Sequence, residues 1–148
     1  MMSFSDKLIN ITSQNKEEMA RRWARDVRTN RRTTSFQKLS EEECTELAVD
    51  YYIKLKDMYF DVPPYPEVDK FFSRYAEKFF KMNIPLHEAV YALIMMRRHM
   101  WLYADFQAPF LTGMDHHQAV ETINRTIRIF DHGIYIFIKK YDELRFKQ

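Results

Sequence analysis

At 148 residues, with 46% hydrophobic and 16% aromatic side chains, the chain has the size of one domain and is too apolar to be disordered. Two glycines and five prolines are too few for the turns of a sandwich or barrel, and a net charge of +2 gives no overall bias toward nucleic acid or a membrane surface. A single cysteine, Cys44, excludes an internal disulfide and fits a reducing compartment.

The opening MMSFSDKLIN has no apolar signal-peptide core, and no apolar run approaches the ~18 residues of a membrane span. A cytoplasmic location is the expectation. Punctuation falls at Ser40, at Pro63-Pro64-Tyr65-Pro66, at Asn83-Ile84-Pro85 and at Pro109 to Gly113, with apolar residues at helical spacing between. No internal repeat or linker divides residues 1–148, so one domain is expected.

A short helix is expected around Asp6 to Thr12. Met19, Trp23 and Val27, flanked by Ala20 and Ala24, predict the next, with Asn15 as N-cap and Glu17 and Glu18 in its first turn. Ser40 with Glu43 spells a capping box ahead of Leu47, Ala48, Tyr51, Leu55 and Met58. Pro66 opens a helix carrying Val68, Phe71, Phe72, Tyr75, Phe79 and Met82, and Pro85 opens one running to about Phe106. The last helix is expected from about Asp115 to about Arg145. The pattern predicts an all-α fold: a five- to six-helix bundle, globin-like, with a long C-terminal helix.

The helix after Pro85 is apolar on nearly all sides. One face gathers Leu86, Val90, Leu93, Trp101 and Ala104 around Arg97, and the opposite one Ala92, Met95, Met96, His99, Leu102 and Phe106. His87, Arg98 and Asp105 form the strip left for water. An arginine inside such a stripe needs a partner or a route to water. Asp131 is the expected partner in a buried ion pair. In the last helix Val120, Ile123, Ile127, Ile134, Ile138 and Tyr141 form the expected core stripe. Ile129, Gly133 and Ile136 form a second ridge, expected to be a homodimer interface. A mid-helix glycine suggests close approach of another helix.

Motifs for catalysis are missing: no Gly-rich phosphate loop, nucleophile elbow, CxxC pair or HExxH occurs. The chain is therefore expected not to be an enzyme. His116 and His117 are adjacent and point about 100° apart on a helix, and no two of the five histidines stand four residues apart, so no local metal motif is present. A haem needs only one histidine in an apolar pocket, and His99, then His132, would supply it; the bland alternative is a core histidine bonded to a neighbour. Arg21 to Lys38 carries seven basic residues and one acid. Without a helix-turn-helix pattern, and with Glu41 to Glu43 close by, this reads as a solvated or partner-binding face rather than a nucleic-acid surface. Cys44, early in a helix, is expected to be a small buried apolar residue.

Three stretches, MARRWARDV with RTTSFQKLSEEE, IPLHEAVYALIMMRRHMWLYA, and IRIFDHGIYIFIKKY, together resemble the N-terminal domain of the RsbT co-antagonist (RsbRD-type) proteins of bacterial stress signalling. The matching positions are Trp23, Thr34-Ser35-Phe36, Ser40 to Glu43, and Arg97-Arg98 with Trp101. The resemblance implies a dimeric, all-helical input domain, architecturally related to non-haem globins, whose last helix continues into an output domain. This chain closes at Gln148 without one, so a fragment, or a stand-alone protein acting through a partner, is expected. The expected function is a sensory or regulatory domain without a cofactor. It would bind a small ligand or a protein partner near Arg97, His99, Trp101 and Tyr103, and couple that event to dimer geometry. A haem- or metal-binding globin-like gas or redox sensor is the alternative.

Overall fold

The computed structural model describes residues 4–107 and 113–147; Pro109 and the side chains of Ala104, Asp105, Phe106 and His116 lie outside that description. Among the described residues there are six α-helices and no strand: α1 Phe4–Gln14, α2 Lys16–Thr29, α3 Glu41–Tyr59, α4 Pro66–Lys81, α5 Leu86–Gln107 and α6 Gly113–Phe146. A 3-10 turn, Thr34–Lys38, joins α2 to α3. No helix among the described residues is long and apolar enough to cross a membrane.

The bundle is built from two helix pairs. α2 packs chiefly on α3, α4 chiefly on α6, and α5 lies against α2. Trp23, fully buried on α2, donates its indole N–H to the Ala92 carbonyl of α5 at 2.9 Å. The 3-10 turn carries Phe36 into the core, edge-on to Trp23 at 6.1 Å and to Phe79 at 5.9 Å. Thr33 secures the turn by donating its hydroxyl to the Val27 carbonyl at 2.6 Å. The segment forms a compact turn because the Thr33 hydroxyl satisfies the end of α2 while the Phe36 ring fills the core.

Helix starts follow the sequence signals with one exception. Ser40 accepts from the Glu43 amide, and the Glu43 carboxylate accepts from the Ser40 amide, completing the capping box. Pro66 occupies the first turn of α4. The buried Asp61 carboxylate accepts the amides of Glu67 and Val68 at 2.8 and 3.0 Å, a cap the sequence reading missed. Asn15 is the exception: it stands at the α1–α2 junction but makes no side-chain cap. Its side chain instead donates to the Ile11 carbonyl and accepts from the Tyr103 hydroxyl, both at 2.9 Å.

The expected faces of α5 and α6 need correction. On α5 the buried residues include Ala89, Ala92, Leu93, Met96, Met100 and Tyr103, while Leu86, Val90 and Trp101 are only half-buried. Leu102, assigned to an apolar face, is 52% exposed. α2 provides the main packing against α5, with α1 and α6 touching it less extensively, and Arg98 and Leu102 are left exposed. On α6 the core face is Thr122, Thr126, Ile129, Phe130, Gly133, Phe137 and Tyr141. Of the expected core stripe only Tyr141 is fully inside; Val120, Ile123 and Ile127 are exposed, and Ile134 and Ile138 are half-buried. Ile129 and Gly133, assigned to a dimer interface, belong to the intramolecular core, and Ile136 packs at its edge. The glycine signal nonetheless had the expected cause: the Phe72 ring of α4 comes so close to Gly133 that a methyl there would overlap it.

Candidate functional site

The four residues expected to line one pocket on α5 split between two sides of the helix. Arg97 turns toward α6, where its guanidinium lies 3.7 Å from Asp131 and 4.6 Å over the Phe130 ring. Asp131 is 66% exposed and the Arg97 side chain 26%, so the pair is present but is a rim contact rather than a buried one. An ion pair this open to water contributes ~0–1 kcal/mol. Trp101, one turn further on the same side, is half-buried.

His99 and Tyr103 face α2. The His99 Nε2 sits 2.8 Å from the Asp26 carboxylate. The Tyr103 hydroxyl lies 2.9 Å from both Asn15 Oδ1 and Glu18 Oε2, and the Arg22 guanidinium, itself paired with Glu18 at 2.8 Å, lies over the Tyr103 ring. The Tyr103 hydrogen bond and Arg22 hold the Glu18 carboxyl below its ordinary range, while burial and then Glu18 push the Tyr103 phenol up. Residues 97 and 99 stand about 200° apart on a helix, so no single cleft between α5 and α6 collects all four side chains.

The second histidine singled out, His132, is equally engaged: its Nε2 lies 2.6 Å from Asp69 Oδ1, with Tyr65 packed against the ring. Among the described residues no group of three His, Cys, Asp or Glu is placed to hold a metal ion. Cys44 is fully buried, and burial pushes its thiol up to about 11, so it is a protonated core side chain. Much of the basic segment is engaged locally. Arg25 pairs with Glu41 at 3.1 Å, Arg28 donates to the Leu39 carbonyl at 2.9 Å, and Arg32 lies over Tyr91. Glu88, 6% exposed, accepts from both the amide and the hydroxyl of Ser35 and ties α5 to the 3-10 turn.

Two surface features were not read correctly from the sequence. One is the apolar ridge of α6 at Val120, Ile123 and Ile127, expected in the core and found exposed. The other is an open cleft of about 740 Å3 between the start of α5 and the end of α6, floored by Phe80, Ile84, Leu86, Val90 and Tyr141. Its only sequence signal was the Asn83-Ile84-Pro85 break, where Asn83 takes a left-handed backbone with φ 59° and turns the chain from α4 into α5. No family model, curated protein or solved structure matches this chain.

Proposed function

We propose that this chain is a regulatory input domain that self-associates along α6 and passes a signal through that helix, rather than turning over a substrate. The observation that carries this reading is the ridge Val120, Ile123 and Ile127, which are 56%, 39% and 38% exposed, continued by the half-buried Ile134 and Ile138. An apolar line on a water-facing helix, interrupted only by Asp131 between Ile127 and Ile134, marks an interaction surface. α6 has 34 residues and therefore spans ~51 Å, of which the ridge takes ~27 Å.

Charge pattern argues that the partner is a second copy. The exposed residues flanking the ridge are Glu121 and Arg128 in its first half, Asp131 and Lys139 in its second. An antiparallel two-fold centred near Phe130 sets Glu121 toward Lys139 and Arg128 toward Asp131, so the surface is complementary to itself, as an isologous contact requires. The resemblance to RsbT co-antagonist input domains points the same way, toward a dimeric helical module serving an output partner in bacterial stress signalling. A signal acts on such a module by preferring one of two helix arrangements.

Sedimentation velocity at micromolar concentration tests the proposal. The wild-type chain is expected to run as a dimer, and Ile127→Glu as a monomer with unchanged helical circular dichroism. A monomeric wild type, or a dimer that survives both Ile123→Glu and Ile127→Glu, would overturn it. Point substitutions are the proper tool because truncating α6 removes Phe137 and Tyr141 from the core.

A further inference from the structure

We infer that the cleft between the start of α5 and the last turns of α6 docks an acidic segment of a partner protein that carries an apolar anchor. The floor is apolar and rigid. Ile84 and Tyr141 are buried to 3% and 2%; Tyr141 donates its hydroxyl to the Ile84 carbonyl at 2.8 Å and meets Phe80 edge-on at 5.5 Å. Half-buried Leu86 and Val90 complete a surface ready to receive an aliphatic or aromatic side chain.

The rim carries two fixed cations. Arg145 lines the cleft beside His87, and Lys38 reaches its edge by donating to the Asn83 carbonyl at 3.3 Å. Among the described residues, none that lines the cleft is a carboxylate. The nearest acid paired with Arg145, Asp142, stands 3.9 Å away with both side chains half-exposed, too far for a hydrogen bond. A guanidinium so placed reads a carboxylate through two parallel N–H donors. α5 also begins at Leu86, which sets the positive end of its dipole at the same wall.

The shape selects a protein segment over a small molecule. A small-molecule site encloses most of its ligand. Here Asn83, Pro85 and His87 stand exposed along the walls. A trough this open removes little water from a small ligand, whereas a peptide brings its own covering surface. The cleft uses α6 from Tyr141 onward, beyond the ridge that ends at Ile138, so the two surfaces are separable.

The test is fluorescence anisotropy with a short fluorescein-labelled peptide of leucine anchors flanked by glutamates, on the full chain and on the seam variant Ile127→Glu. The expected result is saturable one-to-one binding to both. Binding should weaken by about ten-fold or more with Arg145→Glu, with Val90→Glu, and with a peptide whose glutamates are replaced by glutamine. Both substituted positions are partly open to water, and circular dichroism checks that the variants fold. Absence of saturation by ~1 mM, or affinity indifferent to Arg145→Glu, would overturn the inference. So would Arg145-dependent binding of decanoate in the absence of peptide binding, which would assign the cleft to a small amphipathic anion.

Discussion

Gly133 shows how a single residue can reverse an ordinary rule. Replacing a mid-helix glycine by alanine normally gains ~1 kcal/mol. Here the added methyl meets the Phe72 ring, which is itself held between Tyr51 and Phe130 with ring centroids 6.5 and 6.1 Å away. Gly133→Ala is therefore expected to lower stability by ~1–3 kcal/mol, the cost of overpacking a tight core. Urea unfolding measures it, and a stabilised variant would contradict the packing described. Asp131→Asn is expected to change stability by less than ~1 kcal/mol between pH 5 and 8, because the carboxylate it alters is mostly in water. The sequence revealed Gly133 as a point of close approach because a missing side chain is visible there. It could not name Phe72, since which ring fills the space depends on tertiary packing. The Arg97–Asp131 pair was legible as a pairing but not as a rim contact, because spacing reports direction and not depth.

At the scale of the element, α6 carries two apolar faces, and the fold buried the less hydrophobic one. Ile129, Phe130, Phe137 and Tyr141 went inside together with Gly133 and two threonines, while Val120, Ile123 and Ile127 stayed exposed. Large rings that interlock with Phe72, Phe79 and Phe80 explain the choice. The threonines fit because their polar groups are satisfied locally: Thr126 donates to the Thr122 carbonyl at 2.9 Å, and Thr122 meets the Ser5 hydroxyl at 3.2 Å. Ranking by hydropathy pointed to the isoleucine ridge instead, which is why the expected core and interface were exchanged. Phe137→Ala should cost ~3–5 kcal/mol, as expected for a fully buried phenylalanine. Ser40→Ala should cost ~1 kcal/mol through loss of the capping box. Chemical denaturation of each variant checks both values, and a Phe137→Ala protein as stable as wild type would refute the burial assigned to α6. Caps such as Ser40–Glu43 and Pro66 were readable because they are local. The Asp61 cap was not, since its acid lies outside the usual N-cap position.

For the molecule as a whole, buried phenols set the alkaline limit. Burial pushes the hydroxyls of Tyr51, Tyr52, Tyr75 and Tyr141 well above the ordinary tyrosine value. Below ~pH 10 these groups are protonated in both folded and unfolded chains, and their contribution is complete. Above it the unfolded chain loses those protons and the folded one keeps them. Stability then falls by up to ~1.4 kcal/mol per pH unit for each tyrosine. Of the nine tyrosines, these four should give no phenolate absorbance until the chain unfolds cooperatively; their titration in a chain still helical would contradict the core described.

The central claim is that α6 pairs with its own copy in antiparallel sense. Pulsed electron paramagnetic resonance on chains labelled singly through Asn124→Cys, Arg128→Cys or Lys139→Cys tests it most directly. All three positions are exposed, while Cys44 is fully buried and escapes labelling. The account predicts label separations that grow by ~3 Å for each residue away from position 130, in either direction along the helix. A separation that stays constant across the three sites would mean parallel pairing, and the absence of dipolar coupling would mean a monomer; either result contradicts the claim.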